Sequence, residues 1–128
     1  MREPDLDTLQ FFDAHPAALP LFEALEEKLF SLFPQTEKRV QKTQITYYRR
    51  RVFACVSFTR VKRKADLPES WLVLTLGLPC PLDSPRVAVQ TEPYPGRWTV
   101  HIVLSREQEL DDELVSWLRL AYDFSERK

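Results

Sequence analysis

His101 falls in a segment that reads as a β-strand, and it is where chemistry would start. With Cys55 or Ser57 it would form a Cys–His or Ser–His pair, the minimum for a nucleophile and its base, and Glu92 could orient the imidazole. The companions of such a pair are missing. The chain has two glycines, Gly77 and Gly96, and neither a nucleophile elbow nor a glycine-rich oxyanion turn occurs. The same scarcity excludes a dinucleotide fingerprint and a P-loop, both of which need glycines close together. His101, Cys55 and Glu92 also have ligand chemistry, but their strand positions alone do not show convergence. Two cysteines and two histidines far apart do not make a structural zinc site. The expectation is no metal, no cofactor and no assigned catalytic residue. A hydrolase-like enzyme centred on His101 is the lesser alternative. His15 precedes Pro16 in a connector and reads as a surface or packing residue.

A second constellation is basic. From Lys38 to Lys64 there are ten Lys or Arg and no acid, and Tyr47, Tyr48 and Phe53 lie among the arginines Arg49, Arg50 and Arg51. Aromatic and arginine side chains on a sheet can stack bases. The chain as a whole carries a net charge of −1 and has a pI near 6.1, against a pI above about 9 for a typical nucleic-acid domain. From Glu107 to Glu126 there are seven acids against the single Arg119. Basic and acidic stretches in a nearly neutral chain are expected to lie close and offset each other, so nucleic acid is disfavoured. A small anionic or aromatic ligand, with Arg49 or Arg97 as charge partner, remains open.

The elements that must position these residues follow from periodicity. Leu21, Phe22, Leu25, Leu29, Phe30 and Phe33 recur at intervals of three and four, which predicts a helix entered at Pro20 and ended by Pro34. Residues 5–19 read as a helical turn followed by a proline-punctuated connector. Residues 35–42 are polar and read as a loop. Period-two patterning then predicts five strands, over residues 43–48, 52–61, 71–78, 86–92 and 97–105. Arg49–Arg51 forms the first turn and Lys62–Ser70 a polar loop, and Pro93-Tyr94-Pro95-Gly96 signals a turn. Ser105 with Gln108, or Asp111, caps a final helix that buries Leu114, Leu118, Ala121 or Tyr122 and Trp117. The expected fold is α+β, a roughly five-stranded antiparallel meander with N-terminal and C-terminal helices on one face. It would form a single domain over residues 1–128, with 1–17 an extension or short helix.

Strand parity assigns faces. Val52, Ala54, Val56, Phe58, Leu72, Leu74, Leu76, Val87, Val89, Trp98, Val100, Ile102 and Leu104 form an apolar set that should meet the helices. The opposite set mixes Phe53, Cys55, Ser57, Thr59, Trp71, Val73, Thr75, Gly77, Ala88, Gln90, Glu92, Thr99, His101 and Val103, with almost no Lys or Glu. That mixture suits a small-molecule site, mostly apolar with a few placed polar groups. The expected ligand-binding residues are Tyr48, Phe53, Ser57, Trp71, Gln90, Glu92, Arg97 and His101. The alternative is a protein–protein interaction or scaffold module, for which a homodimer is allowed.

No segment reads as a signal peptide. The longest uncharged run, Trp71–Leu82 with the preceding Ser70, is thirteen residues with two prolines, against about twenty for a membrane span. With two cysteines read as buried thiols, the chain is expected to be cytoplasmic.

Lys42-Thr43-Gln44-Ile45-Thr46-Tyr47-Tyr48, Val52–Ser57, Glu92-Pro93-Tyr94-Pro95-Gly96-Arg97-Trp98 with His101, and Glu109–Leu114 through Ala121–Phe124 together resemble a small bacterial family, domain of unknown function 5655. The resemblance spans roughly residues 18–128. It implies a cytoplasmic α+β domain similar in outline to small iron-chaperone-like sheet proteins, although no motif here supports iron binding. That family has no established catalytic residues to transfer.

Overall fold

The structure is a computed structural model that describes residues 6–59 and 70–127. The chain begins with α1 (Leu6–Phe11), a 3-10 turn (Pro16–Ala18) and α2 (Leu19–Leu32). Six strands follow, β1 (Glu37–Val40), β2 (Gln44–Tyr48), β3 (Val52–Ser57), β4 (Leu72–Leu78), β5 (Val87–Tyr94) and β6 (Arg97–Leu104). A 3-10 turn (Glu107–Glu109) and α3 (Asp112–Glu126) complete the chain. The fold is α+β, with one antiparallel sheet in the order β1-β2-β3-β4-β6-β5. The expectations for Met1–Asp5 and for Arg60, Lys62, Arg63, Lys64 and Pro68 lie outside the described residues.

The helices form where spacing and caps place them. In α2, Leu21, Phe22, Leu25 and Leu29 are buried and Pro20 opens the helix, which stops at Phe33 because Pro34 disfavours a helical residue before it. In α3, Leu114, Trp117, Leu118, Ala121 and Ser125 make the buried stripe, and the Asp111 side chain accepts the Leu114 N–H as N-cap. The long helix is therefore capped by Asp111 and not by Ser105. The expected box after Ser105 is displaced by one residue: Glu109 accepts the backbone N–H groups of Ser105 and Arg106.

Two expectations fail for identifiable reasons. Residues 37–40, expected as loop, are β1, a short edge strand paired to β2. Its charges suit an edge, where they discourage further strand pairing, and they hide the strand from a hydrophobic pattern. The Lys38 ammonium is half-buried against the buried Glu26 carboxylate at 2.9 Å, and Glu26 also accepts the Tyr47 hydroxyl at 2.7 Å. The meander also fails. β6 lies between β4 and β5, so residues 79–86 cross over one strand position. β6 carries Val100, Ile102 and Leu104 into the core, whereas β5 carries Gln90, Thr91, Glu92 and Pro93, which belong at an edge.

The core lies between the helices and one sheet face. Val56, Leu72, Leu74, Leu76, Leu78, Val100, Ile102 and Leu104 are fully buried in it, as their parity predicts. Three register shifts break that parity elsewhere, one between β2 and β3 and two in β5, at Val87/Val89 and at Thr91/Tyr94. Tyr47 pairs with Ala54 and Tyr48 with Val52, so Phe53 is an inserted residue. Its ring turns into the core, edge-on to Phe33 at 5.7 Å and to Tyr122 at 5.2 Å. Phe53 is 1% exposed and Val52 is 45% exposed, the reverse of the alternation. In β5, Val87 pairs with Ile102 but Val89 with His101, so Ala88 is inserted and Gln90 comes opposite Val100. Val89, expected inside, is exposed.

Candidate functional site

The face away from the helices is floored by β2, β3, β4 and β6. Register places Thr46, Cys55, Thr75, His101 and Val89 in one row across it. Gln44, Ser57, Val73 and Val103 form the next row on one side, and Gly77, Thr99 and Thr91 part of the next on the other. Thr46, Ser57 and Val73 are buried, and Cys55, Thr75, Gly77, Thr99, His101 and Val103 are half-buried.

Side chains of the central row bond in two separate pairs. Thr75 Oγ1 and His101 Nδ1 share a hydrogen bond of 2.8 Å. The Cys55 thiol donates weakly to Thr46 Oγ1 at 3.9 Å, and Thr46 donates to Gln41 Oε1 at 2.7 Å. Gln44 Nε2 donates to Thr46 Oγ1 at 3.0 Å. Burial holds the His101 imidazole below its ordinary value, so the ring is neutral at pH 7. Burial likewise pushes the Cys55 thiol up, which leaves it protonated and a poor nucleophile. Cys55 and His101 are separated by the strand bearing Thr75, a distance of roughly 10 Å from strand spacing, so no proton passes directly between them. Ser57 lies a further row away and serves as acceptor for the Thr59 N–H. No group of three or more His, Cys, Asp or Glu able to hold a metal occurs among the described residues.

The eight residues selected from the sequence do not meet in one place. His101 and Ser57 lie on the outer face, and Tyr48 shares that face at its far side, where the Arg39 guanidinium sits 5.2 Å from its ring centre. Phe53 has been turned into the core by the β3 bulge. Gln90 has been turned to the helix side by the β5 bulge, where its amide acts as a surrogate peptide: it accepts the Leu82 N–H at 2.9 Å and donates to the Leu82 carbonyl at 3.0 Å. It thereby pins the crossover. Glu92 accepts the Gly96 N–H at 2.9 Å and tightens the β5–β6 turn. Gly96, with φ of 76°, follows Pro95 in that turn, the pattern of a type II turn. Arg97 pairs with Tyr94 and is exposed, so neither Glu92 nor Arg97 reaches His101. Trp71 flanks β4 and packs edge-on to Phe58 at 5.9 Å, while His15 stacks on Phe58 at 3.9 Å. Cys55 and Cys80 are both free, and Cys80 is exposed, not buried as expected.

The described concavities lie elsewhere. One of about 190 Å³ runs between His15, Pro16, Ser70 and Trp71. Two others, of about 360 and 370 Å³, flank Phe11 and Lys42. A fourth, of about 350 Å³, lies between the β2–β3 hairpin and the end of α3 and is lined by Arg50, Arg51, Ser125, Glu126 and Arg127. None of the four is lined by Ser57, Gln90 or His101. The fourth was foreshadowed by the arginine triplet and by the acidic C-terminal segment, but alternation carries no signal for where a turn and a helix end meet. The two oppositely charged segments do touch there, through Arg49 Nη1 and Glu126 Oε1 at 2.8 Å. Part of the remaining charge on the two sides is engaged elsewhere, with Asp111 and Glu113 held by Arg86 and Lys38 by Glu26.

The model of one protein family, described as Domain of unknown function (DUF5655), matches residues 8–125. No curated protein and no solved structure matches the chain. No helix among the described residues is long and apolar enough to cross a membrane.

Proposed function

We infer, for a chain that belongs to the family of unknown function DUF5655, that its work is binding and that the outer sheet face takes a small, flat ligand of aromatic character. The observation that carries this is the uncharged floor around Gly77. A Cβ placed on Gly77 would meet nothing within 4 Å, and the neighbouring Phe53 ring has turned to the other side of the sheet. Thr75, Thr99 and His101 border this open patch. His101 is neutral, with Nδ1 engaged by Thr75 and Nε2 without a hydrogen-bond partner among the described residues, so its free nitrogen can meet a polar edge of the ligand. A flat ring lying on backbone, with its edge held by hydroxyl and imidazole groups, matches what small-molecule sites provide.

The shallowness of the face favours a second reading, a protein–protein interaction module, because none of the described concavities is formed by these residues. Amide chemical-shift mapping with a library of small aromatic compounds separates the two. The ligand reading expects saturable shifts centred on Thr75, Gly77, Thr99 and His101 that Gly77→Leu abolishes. Hits that shift only residues away from this face would overturn it.

A further inference from the structure

We propose that the cleft between the β2–β3 hairpin and the C-terminal end of α3 is a second binding site, for a small soluble phosphate ester that carries a neighbouring hydroxyl. Three arginines, Arg50, Arg51 and Arg127, line it and Arg49 stands beside them, and their partners are uneven. Arg49 is ion-paired to Glu126 at 2.8 Å. Arg51 donates to the Arg127 carbonyl oxygen at 3.4 Å and has no counter-ion among the described residues. Arg50 and the Arg127 guanidinium make no hydrogen bond or ion pair among the described residues. Once Arg49 and Glu126 offset each other, Arg50, Arg51 and Arg127 remain as three charges that no acid among the described residues compensates, around one cavity of about 350 Å³. Holding the hairpin on the helix requires only Arg49 and Arg51.

Like charges so placed repel, and in a chain of net charge −1 the arrangement is not explained by a generally basic surface. Guanidinium groups match phosphate oxygens in planar, two-pronged geometry, so a multiply charged oxyanion is the ligand class this cluster recognises. A second observation narrows the class. Glu126 lines the cleft with Oε1 on Arg49, while Oε2 is covered and has no hydrogen-bond partner among the described residues, so a ligand reaches it by turning the carboxylate toward the cleft. A buried carboxylate oxygen needs a donor, which a bare phosphate dianion cannot supply and a hydroxyl on the ligand can. The phosphate would lie against Arg50, Arg51 and Arg127, and the hydroxyl would donate to Glu126. The cavity lies at the small end of ligand sites, which run from about 300 to 1,000 Å³, and so suits a compact molecule.

The test is isothermal titration of the full chain at physiological salt with glycerol 3-phosphate, inorganic phosphate and glycerol as separate probes. Glycerol 3-phosphate should bind one to one, more tightly than inorganic phosphate, and glycerol should not bind. The Arg50→Gln, Arg127→Gln double variant removes no contact found in the fold, so it should melt like the parent and lose roughly tenfold or more in affinity. Arg97→Gln, on the distant hairpin, should bind as the parent does. Glu126→Gln should abolish the preference for glycerol 3-phosphate over inorganic phosphate. The proposal is overturned if neither phosphate probe saturates, or if the double variant binds unchanged. It is equally overturned if a single-stranded oligonucleotide binds more tightly per phosphate, or if only vesicles containing phosphatidate are bound.

Discussion

Exchanging the stability roles of two adjacent residues is the sharpest test of the β3 bulge. Period-two alternation from Ala54 puts Val52 in the core and Phe53 on the outer face; the inserted residue reverses both. Phe53 is 1% exposed and meets Phe33 and Tyr122 edge-on, at 5.7 and 5.2 Å. Burying its ring is worth about 1.5–3 kcal/mol by transfer, and each edge-to-face pair adds about 0.5–1.5 kcal/mol. The helices around it can collapse only in part, so Phe53→Ala should cost about 3–5 kcal/mol. In a domain of this size that lowers the melting temperature by roughly 10–20 °C. Val52 is 45% exposed at a strand end, and Val52→Ala should change stability by no more than about 0.5 kcal/mol. Urea unfolding of both variants, compared at equal m-value, measures the difference. A Val52 variant that loses more stability than the Phe53 variant would show that the strand runs in simple alternation and that the outer face is not cleared at Gly77.

Gln90→Ala should cost about 1–3 kcal/mol by leaving the Leu82 N–H and carbonyl without partners, and amide exchange at Leu82 should accelerate with it. His101 has its pKa lowered in the folded chain, so the unfolded chain takes up the proton first as pH falls. Its contribution to stability is therefore complete above the ordinary value near 6.5 and is lost as pH drops below it. An NMR titration of the imidazole should give a midpoint under that value, and the stability of His101→Gln should fall less steeply between neutral and mildly acidic pH. Asp111 is held in its charged form, first by the Leu114 N–H and then by Arg86. Asp111→Asn keeps an acceptor at the cap and should protect the Leu114 amide from exchange better than Asp111→Ala does, and equal exchange in the two variants would remove the capping assignment.

Local and periodic signals located the helix ends, the central strands and the β5–β6 turn. Pro20 and Pro34 bound α2, Asp111 begins α3, and Pro95-Gly96 turns β5 into β6. The uniform apolar parity of Leu72–Leu76 and Val100–Leu104 fixed the central strands and the side on which the helices lie. β1 escaped because its four residues are stabilised by pairing with β2 and by Glu26, neither of which leaves an apolar trace. The candidate site was less legible than the fold. Alternation identified His101, Ser57, Thr75 and Gly77 on one face, but a single inserted residue reverses the face of everything beyond it on that strand, and nothing in the local composition marks Phe53 or Ala88 as insertions. The β4-β6-β5 order likewise depends on which strand buries more apolar surface at the sheet centre, a comparison between segments and not a property of either. The arginine cleft belongs wholly to the tertiary structure. Arg49–Arg51 and Ser125–Arg127 stand more than seventy positions apart, and only the packing of α3 across β3 and β4 brings a turn and a helix end together so that Arg49 meets Glu126 while Arg50, Arg51 and Arg127 meet no acid among the described residues.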